Sequence, residues 1–261
     1  MKKLSMFITV FLVSILLTAC TKNVENQKLT LKFDFGSREG TYTGEMKNDL
    51  PNGNGRFDTK NKEGVKWYYD GEWVDGTMEG QGMQCWEELE QKDEGTYKNN
   101  HLINGKSYTH GLLKYEGDLK DDRYNGQGKL YGVNKEIIYE GKFVNGKPKD
   151  MEKFKEKCNT IPYKKIAKKE KDYFNEPVKF SGEVVQVEEG EDNTATYRVS
   201  LDEFAEEVVM GSYTRGKDEE RILEGEKVTL YGTSDGLYTY ESVLGQNITI
   251  PYINILSIEV G

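Results

Sequence analysis

A short phrase, tyrosine followed by any residue and then glycine, recurs along the first half of the chain and restricts the fold more than any other feature. The four complete copies begin at Tyr42, Tyr69, Tyr115 and Tyr139. A weaker copy, "DEGTYKNNHLINGKS", has Asp93 at the tyrosine position, and Gly105 and Ser107 in place of a later glycine pair. The period is about 22 to 27 residues, which indicates stacked supersecondary units.

Within each copy, apolar and polar residues alternate, as they do in a β-strand with one buried face. In the second copy Tyr69, Gly71 and Trp73 share one side, and the residues between them are acidic. The matching positions of the other copies are Tyr42, Gly44 and Met46, then Tyr115, Gly117 and Leu119, then Tyr139, Gly141 and Phe143. Because glycine has no side chain, we expect the tyrosine ring to close over it and the neighbouring strands to approach.

Turn residues follow each of these predicted strands. Asp75-Gly76 and Asn145-Gly146 are dipeptides suited to the positive φ angles of a tight hairpin. A glycine pair such as Gly80 and Gly82 then opens the returning strand. Each copy is therefore predicted to form one β-hairpin.

This pattern resembles the MORN repeat (membrane occupation and recognition nexus) over residues 40–148. The resemblance implies an elongated, twisted row of antiparallel hairpins. It also implies a binding or scaffold role, because members of the family have been linked to lipid headgroups and to protein partners.

The aromatic residues divide into core candidates and ligand candidates. A single hairpin cannot bury its apolar face, so the tyrosines of the repeats are needed for folding itself. Aromatic residues outside the shared register are better placed to meet a ligand, and these are Tyr68, Trp86 and Tyr124. They are the predicted binding residues.

The start of the chain indicates export. Lys2 and Lys3 precede an apolar run from Met6 to Leu17 and the sequence "LTAC", which ends at Cys20. This is the pattern of a signal peptide and is too short for a transmembrane helix. It resembles the lipobox of bacterial lipoproteins, which implies cleavage before Cys20 and acylation of that cysteine with chains such as palmitate. The mature protein is then expected on the extracytoplasmic face of the cell membrane.

The composition shifts after the repeats. Residues 147–176 contain ten lysines and six acids, and we predict a short helix from about Tyr163 to Phe174 with a basic outer side. Two interpretations stay open for its lysines, a solvated helix face and contact with anionic lipid.

Residues 177–261 resemble an OB-fold (oligonucleotide/oligosaccharide-binding) module related to the anticodon-binding-like group. Phrases such as "VKFSGEVVQV" and "IPYINILSIEV" carry this resemblance, and five or six short strands indicate a small barrel. The segment has six basic and seventeen acidic side chains, a net charge of −11. Nucleic acid is therefore an unfavourable partner, because its binding requires a positive surface.

The prediction is a mainly β protein with an array of MORN-type hairpins, a short basic helix and a small OB-like β-barrel. Its segments are a signal peptide (1–19), a tether and lead-in strand (20–39), the array (40–148), a basic linker and helix (149–176) and an acidic OB-like domain (177–261). The spacing of Cys85 and Cys158 carries no disulfide signature, and the sequence does not assign an oligomeric state.

The sequence contains no recognisable catalytic, metal or cofactor motif. Its two histidines, His101 and His110, lie in the weaker repeat and lack the spacing of metal ligands. We therefore predict a membrane-anchored, non-catalytic binding or scaffold lipoprotein with protein or lipid-headgroup partners and no cofactor. Two alternatives stay open, a cell-wall carbohydrate binder, suggested by "WYYDGEW", and a hydrolase with a carboxylate site that the sequence does not reveal.

Overall fold

The computed structural model describes residues 21–62, 64–242 and 245–261. The signal peptide and Cys20 lie outside these residues. The described chain is mainly β and contains two sheets, the first with eleven strands. Those strands are β1 Lys22–Phe33, β2 Gly36–Lys47, β3 Leu50–Lys60, β4 Lys66–Val74, β5 Thr77–Trp86, β6 Gln91–Lys98, β7 His101–Thr109, β8 Leu112–Lys120, β9 Arg123–Tyr131, β10 Ile137–Val144 and β11 Lys147–Pro148.

The eleven strands hydrogen-bond in sequence order, each one antiparallel to the next. This arrangement confirms the prediction of a mainly β chain with repeated hairpins. The sheet ends at Pro148, near the predicted end of the array, but it begins at Lys22. The earlier start arises because β1 pairs along most of β2, although β1 contains no copy of the repeat.

A continuous row of glycines crosses this sheet from β2 to β10. Cross-strand pairing aligns Gly44, Gly55, Gly71, Gly82, Gly95, Gly105, Gly117, Gly128 and Gly141. A methyl group added to Gly71 would lie 2.5 Å from the Cα atom of Gly82. The row therefore brings neighbouring strands closer than any side chain would allow.

Each complete repeat covers its glycines with a buried tyrosine. The hydroxyl of Tyr69 would lie 2.6 Å from a methyl group added to Gly71, so the ring occupies the space that the glycine leaves free. Each of these hydroxyls donates to the carbonyl oxygen three residues later: Tyr42 to Glu45 (2.8 Å), Tyr69 to Glu72 (3.2 Å), Tyr115 to Asp118 (2.7 Å) and Tyr139 to Lys142 (3.2 Å). The buried polar group of each ring is thereby satisfied.

Acidic side chains on the outer face complete the motif in three of the repeats. The Oε1 atom of Glu72 accepts a hydrogen bond from the backbone N–H of Gln81 at 2.9 Å, beside Gly80 with its φ of 69°. Glu45 and Asp118 make the equivalent bonds to Asn54 and Gln127. At the turns, Asp75 and Gly76 have φ angles of 48° and 82°, which suit a two-residue hairpin connection.

The linker contains two short helices, α1 (Met151–Lys155) and α2 (Tyr163–Lys168), and then a 3₁₀ turn at Glu170–Tyr173. The predicted helix to Phe174 is thus interrupted at Lys169, whose φ of −145° and ψ of 54° are not helical. Ile166 is the buried residue of α2, so this helix packs on the protein through one side chain and leaves Lys164 and Lys165 exposed.

The second sheet has five strands whose hydrogen bonding closes on itself in the order β12, β13, β14, β16, β15. The ranges are β12 Pro177–Glu189, β13 Thr194–Ser200, β14 Val208–Thr214, β15 Lys227–Glu241 and β16 Asn247–Val260. β14 and β16 pair in parallel, and the other neighbours are antiparallel. Residues 227–241 form one long strand, with a register shift between Ser234 and Leu237.

The two sheets pack against each other. One apolar cluster extends from the array through Phe154 of α1 to Tyr231 and Leu256 of the second sheet. The array also contacts the linker, where the ring of His110 stacks on that of Phe174 with ring centres 3.9 Å apart. Cys85 and Cys158 are both free thiols.

Candidate functional site

The inner row of side chains beside the glycines changes character in the middle of the array. Cross-strand pairing aligns Tyr42, Phe57, Tyr69, Gln84, Asp93, Ser107, Tyr115, Leu130 and Tyr139. Six of these residues are apolar or aromatic and buried. The three in the centre are polar, and we call Gln84, Asp93 and Ser107 the polar floor.

The members of the polar floor contact one another. Gln84 Nε2 donates a hydrogen bond to Asp93 Oδ2 at 3.1 Å, and Ser107 also hydrogen-bonds this carboxylate. Burial raises the pKa of Asp93, although the bonds from Ser107 and Gln84 act in the opposite direction. Both partners are neutral, so the carboxylate is held in place without a compensating charge.

The polar floor lies at the bottom of a cleft of about 1140 Å³ between the array and the second sheet. Apolar lining on the array side comes from Trp86, Leu102, Leu119 and Tyr124. Lining from the second sheet and its loops includes Asn193, Thr214, Lys217 and Glu219. The volume is slightly above the range of about 300 to 1,000 Å³ that is typical of small-molecule sites.

The cleft lies where the weaker repeat has no tyrosine at position 93. The three atoms nearest to a methyl group added to Gly95 or Gly105 are backbone atoms of the facing strand. In the complete repeats the same test meets the hydroxyl of the local tyrosine. An aspartate in place of that tyrosine therefore leaves space above an unchanged backbone.

His101 connects two acidic residues at the rim of the cleft. Its Nε2 lies 2.8 Å from Asp34 Oδ2, and its Nδ1 lies 3.0 Å from Asp122 Oδ2. Burial lowers the pKa of His101, but the hydrogen bonds that its ring makes to the two carboxylates outweigh burial and raise the pKa overall. This ion-pair triad ties the tip of the first hairpin to the turn between β8 and β9.

Two cationic residues of the cleft, Lys147 and Arg215, have partners within the protein. Lys147 Nζ donates to the carbonyl oxygen of Thr214 at 2.7 Å and lies 3.8 Å from the centre of the Tyr213 ring. Burial lowers the pKa of Lys147. Arg215 Nη2 lies 2.5 Å from Glu189 Oε2. These contacts fix the wall and tie the end of the array to the second sheet.

The structure separates the three predicted binding residues. Trp86 and Tyr124 both line the cleft, and the Tyr124 ring stacks on Tyr115 with centres 3.7 Å apart. Tyr68 lies on the other face of the sheet, under the Arg56 guanidinium at 3.6 Å, where it lines a smaller hollow of about 430 Å³. The cleft therefore unites two of the three.

Sequence reasoning did not identify Gln84 and Ser107 as parts of a site. It placed Ser107 in the glycine pair, whereas the pairing puts Gly105 in the glycine row and Ser107 opposite Tyr115 in the inner row. The feature that could have revealed them is that three residues facing one another on neighbouring strands are polar, where the other repeats have apolar or aromatic residues. Recognising it requires the strand register, which fixes which residues face each other.

MORN repeats are found in four stretches of the chain, residues 42–62, 69–87, 115–136 and 139–149. These stretches leave out residues 88–114, which contain Asp93 and Ser107. A comparison with curated proteins gave no match. MORN repeats are typically binding or scaffold modules, and the position of the cleft coincides with the gap between the matched repeats.

Two kinds of feature are absent from the part of the chain that the structure describes. In that part no helix combines the length and the apolar character that a membrane span requires. Across the same residues, no group of three or more histidine, cysteine, aspartate or glutamate side chains is arranged to hold a metal ion.

Proposed function

We propose that this protein is a membrane-anchored, extracytoplasmic, non-catalytic binding or scaffold lipoprotein whose ligand occupies the cleft. The observation that carries the proposal is the replacement of a core tyrosine by Asp93 in an otherwise regular array. The substitution exchanges packing for an accessible cavity with polar and aromatic lining. Such cavities are the usual form of a ligand site.

Anchoring through an acylated Cys20 is supported by the basic, apolar and "LTAC" segments that precede it. A single acyl chain holds a protein only reversibly, whereas two or more chains give stable attachment. Cys20→Ser should release the protein from membranes or leave its signal peptide uncleaved. Detergent phase partitioning measures this, and normal processing with unchanged partitioning would contradict the proposed anchor.

The second sheet fits the role of an OB-like base for the array. Its five strands close in a ring, and it contributes one wall of the cleft. Its net charge of −11 disfavours nucleic acid, so we propose protein or lipid-headgroup partners. The lysines of the linker, including exposed Lys164 and Lys165, are suited to contact with the membrane surface.

The cleft-binding proposal can be tested by filling the cleft. Asp93→Tyr restores the ring of a complete repeat, and Asp70→Asn is a matched control on the exposed outer face. Cross-linking of the full-length acylated protein in native membranes should give adducts with the wild type and with Asp70→Asn. The same adducts should be lost with Asp93→Tyr. Equal adducts from all three proteins would show that the cleft is not the binding site.

A further inference from the structure

We infer that the polar floor recognises the alkylammonium group of a small ligand, with Asp93 as its counter-ion. This inference rests on the proposed binding function of the cleft and specifies its ligand class.

The first step is that Asp93 has no cationic partner among the described residues. Its side-chain hydrogen bonds come from Ser107 and Gln84, and the charged neighbour with an effect on it is Asp122, which is also negative. Two other acids of the cleft, Asp34 and Asp122, differ because they share His101. A poorly solvated carboxylate without an opposite charge is costly, and a cationic ligand would remove that cost.

The second step is the orientation of the carboxylate. Gln84 and Ser107 lie on the strands to either side of Asp93, and both bond the same carboxylate. An ionised carboxylate has about four acceptor positions, so these two bonds leave acceptor capacity. Because Asp93 is partly exposed and lines the cleft, the remaining capacity is available from the cleft.

The third step is the aromatic surroundings. Tyr97 donates its hydroxyl to the carbonyl oxygen of Asp93 at 3.1 Å. Tyr124 belongs to the lining of the same cleft as Asp93. With Trp86 on the same lining, the site combines a carboxylate with aromatic rings. Ammonium groups are attracted to both kinds of group.

Other ligand classes fit the polar floor less well. An anion would be repelled by Asp93. A metal ion needs more charged oxygens than the cleft supplies, since the described residues contain no group of three potential acidic, histidine or cysteine ligands. A neutral sugar could bond to Gln84 and Ser107 but would leave the carboxylate charge uncompensated. An alkylammonium group supplies the opposite charge, and a primary ammonium also supplies hydrogen-bond donors, which a quaternary one lacks.

Calorimetric titration of the full-length protein in detergent tests the inference. The probes are cadaverine, which carries primary ammonium groups, choline, which carries the quaternary group of a lipid headgroup, and 1-pentanol and N-acetylglucosamine as neutral ligands. Binding of cadaverine or choline at physiological salt is expected, and whichever binds identifies the kind of ammonium group. A neutral ligand that binds in their place would overturn the inference.

Two variants separate the site from general attraction to an acidic protein. Asp93→Asn should weaken ammonium binding at least about tenfold, because the ligand loses its counter-ion. Asp70→Asn removes the same charge from the exposed outer face and should change binding less than about twofold. Equal effects of the two variants would overturn the inference. If no amine binds while Asp93→Tyr still abolishes cross-linking, the inference fails and the proposed binding function stands.

Discussion

The complete repeats and the weaker repeat share one backbone and differ in what covers it. At Tyr69 and Tyr115 a ring lies over the glycine row and its hydroxyl bonds a backbone carbonyl. At Asp93 the glycine row continues through Gly95 and Gly105 with the same cross-strand pairing, but position 93 supplies no ring, and the hydroxyl of Tyr97 instead donates to the carbonyl oxygen of Asp93. The glycines therefore determine how closely the strands approach each other. The tyrosine ring fills space on the inner face, and a cavity can take its place where the ring is absent.

The outer face shows a second difference. In three of the complete repeats an acid such as Glu72 bonds the backbone N–H after the first glycine of the pair. Thr96 occupies the corresponding position of the weaker repeat, and its hydroxyl accepts a bond from Gln81 Nε2 at 2.8 Å. The weaker repeat therefore lacks two interactions of the motif and depends on its neighbours for stability, as expected in a stacked array.

The largest expected effect is the conversion of a complete repeat into a weaker one. Tyr115→Asp removes a buried ring and introduces a carboxylate beside apolar Leu130, without the amide that Gln84 provides to Asp93. We expect a loss of about 4 kcal/mol in the free energy of unfolding. Urea denaturation measures it. A loss below about 1 kcal/mol would contradict the packing role of the tyrosine.

A smaller but still large effect is expected at the glycine row, equally in both kinds of repeat. A side chain at Gly71 or Gly105 would meet backbone atoms of the facing strand. Gly71→Val and Gly105→Val should each lower the free energy of unfolding by about 3 kcal/mol. Thermal unfolding of the two variants provides the comparison. If Gly105→Val unfolds like the wild type, the glycine row is not required where the tyrosine is absent.

The smallest expected effect concerns the charge of Asp93. Its pKa is raised in the folded state by burial, so the folded state binds more protons than the unfolded state between the ordinary and the raised pKa. Wild-type stability therefore falls as pH rises through that interval. Asp93→Asn cannot ionise at this position, so its free energy of unfolding should exceed that of the wild type by about 1 kcal/mol at neutral pH. Near pH ~3, below the ordinary aspartate pKa, the two proteins should differ little in stability.

Denaturation of the wild type and Asp93→Asn across a pH series measures that difference. The other titrating groups are common to both proteins, so their contributions largely cancel. Asp70→Asn serves as the control, because Asp70 is exposed. A stability difference that does not grow from acid to neutral pH would mean that the Asp93 carboxylate is adequately solvated or paired.

The hairpin array could be predicted from the sequence because its determinants are local. Alternation places Tyr69 and Trp73 on one face within a single strand, and a dipeptide such as Asp75-Gly76 determines its own turn. Both features are read along the chain, without knowledge of neighbouring strands. Strand β1 and the continuous strand β15 depend on pairing partners, and their bounds were not predicted.

The cleft could not be predicted, because its floor comes from three strands. Gln84, Asp93 and Ser107 each resemble ordinary polar residues of a half-buried strand, and only cross-strand register brings them together. The same limit applies to the aromatic candidates. Tyr68 precedes the core residue Tyr69 and therefore lies on the opposite face from Trp86 and Tyr124, which the packing of the second sheet helps to enclose.

The most direct test of the account is a crystal structure of Asp93→Tyr. If the cleft exists because a ring is missing, the new ring will lie over Gly95 and Gly105 with the strand pairing unchanged. Its hydroxyl will then donate to the carbonyl oxygen of Thr96, as Tyr69 does to Glu72 in the complete repeat, and the cleft will lose its floor. A ring turned out to solvent above an unchanged cleft, or a shifted strand register, would contradict the account.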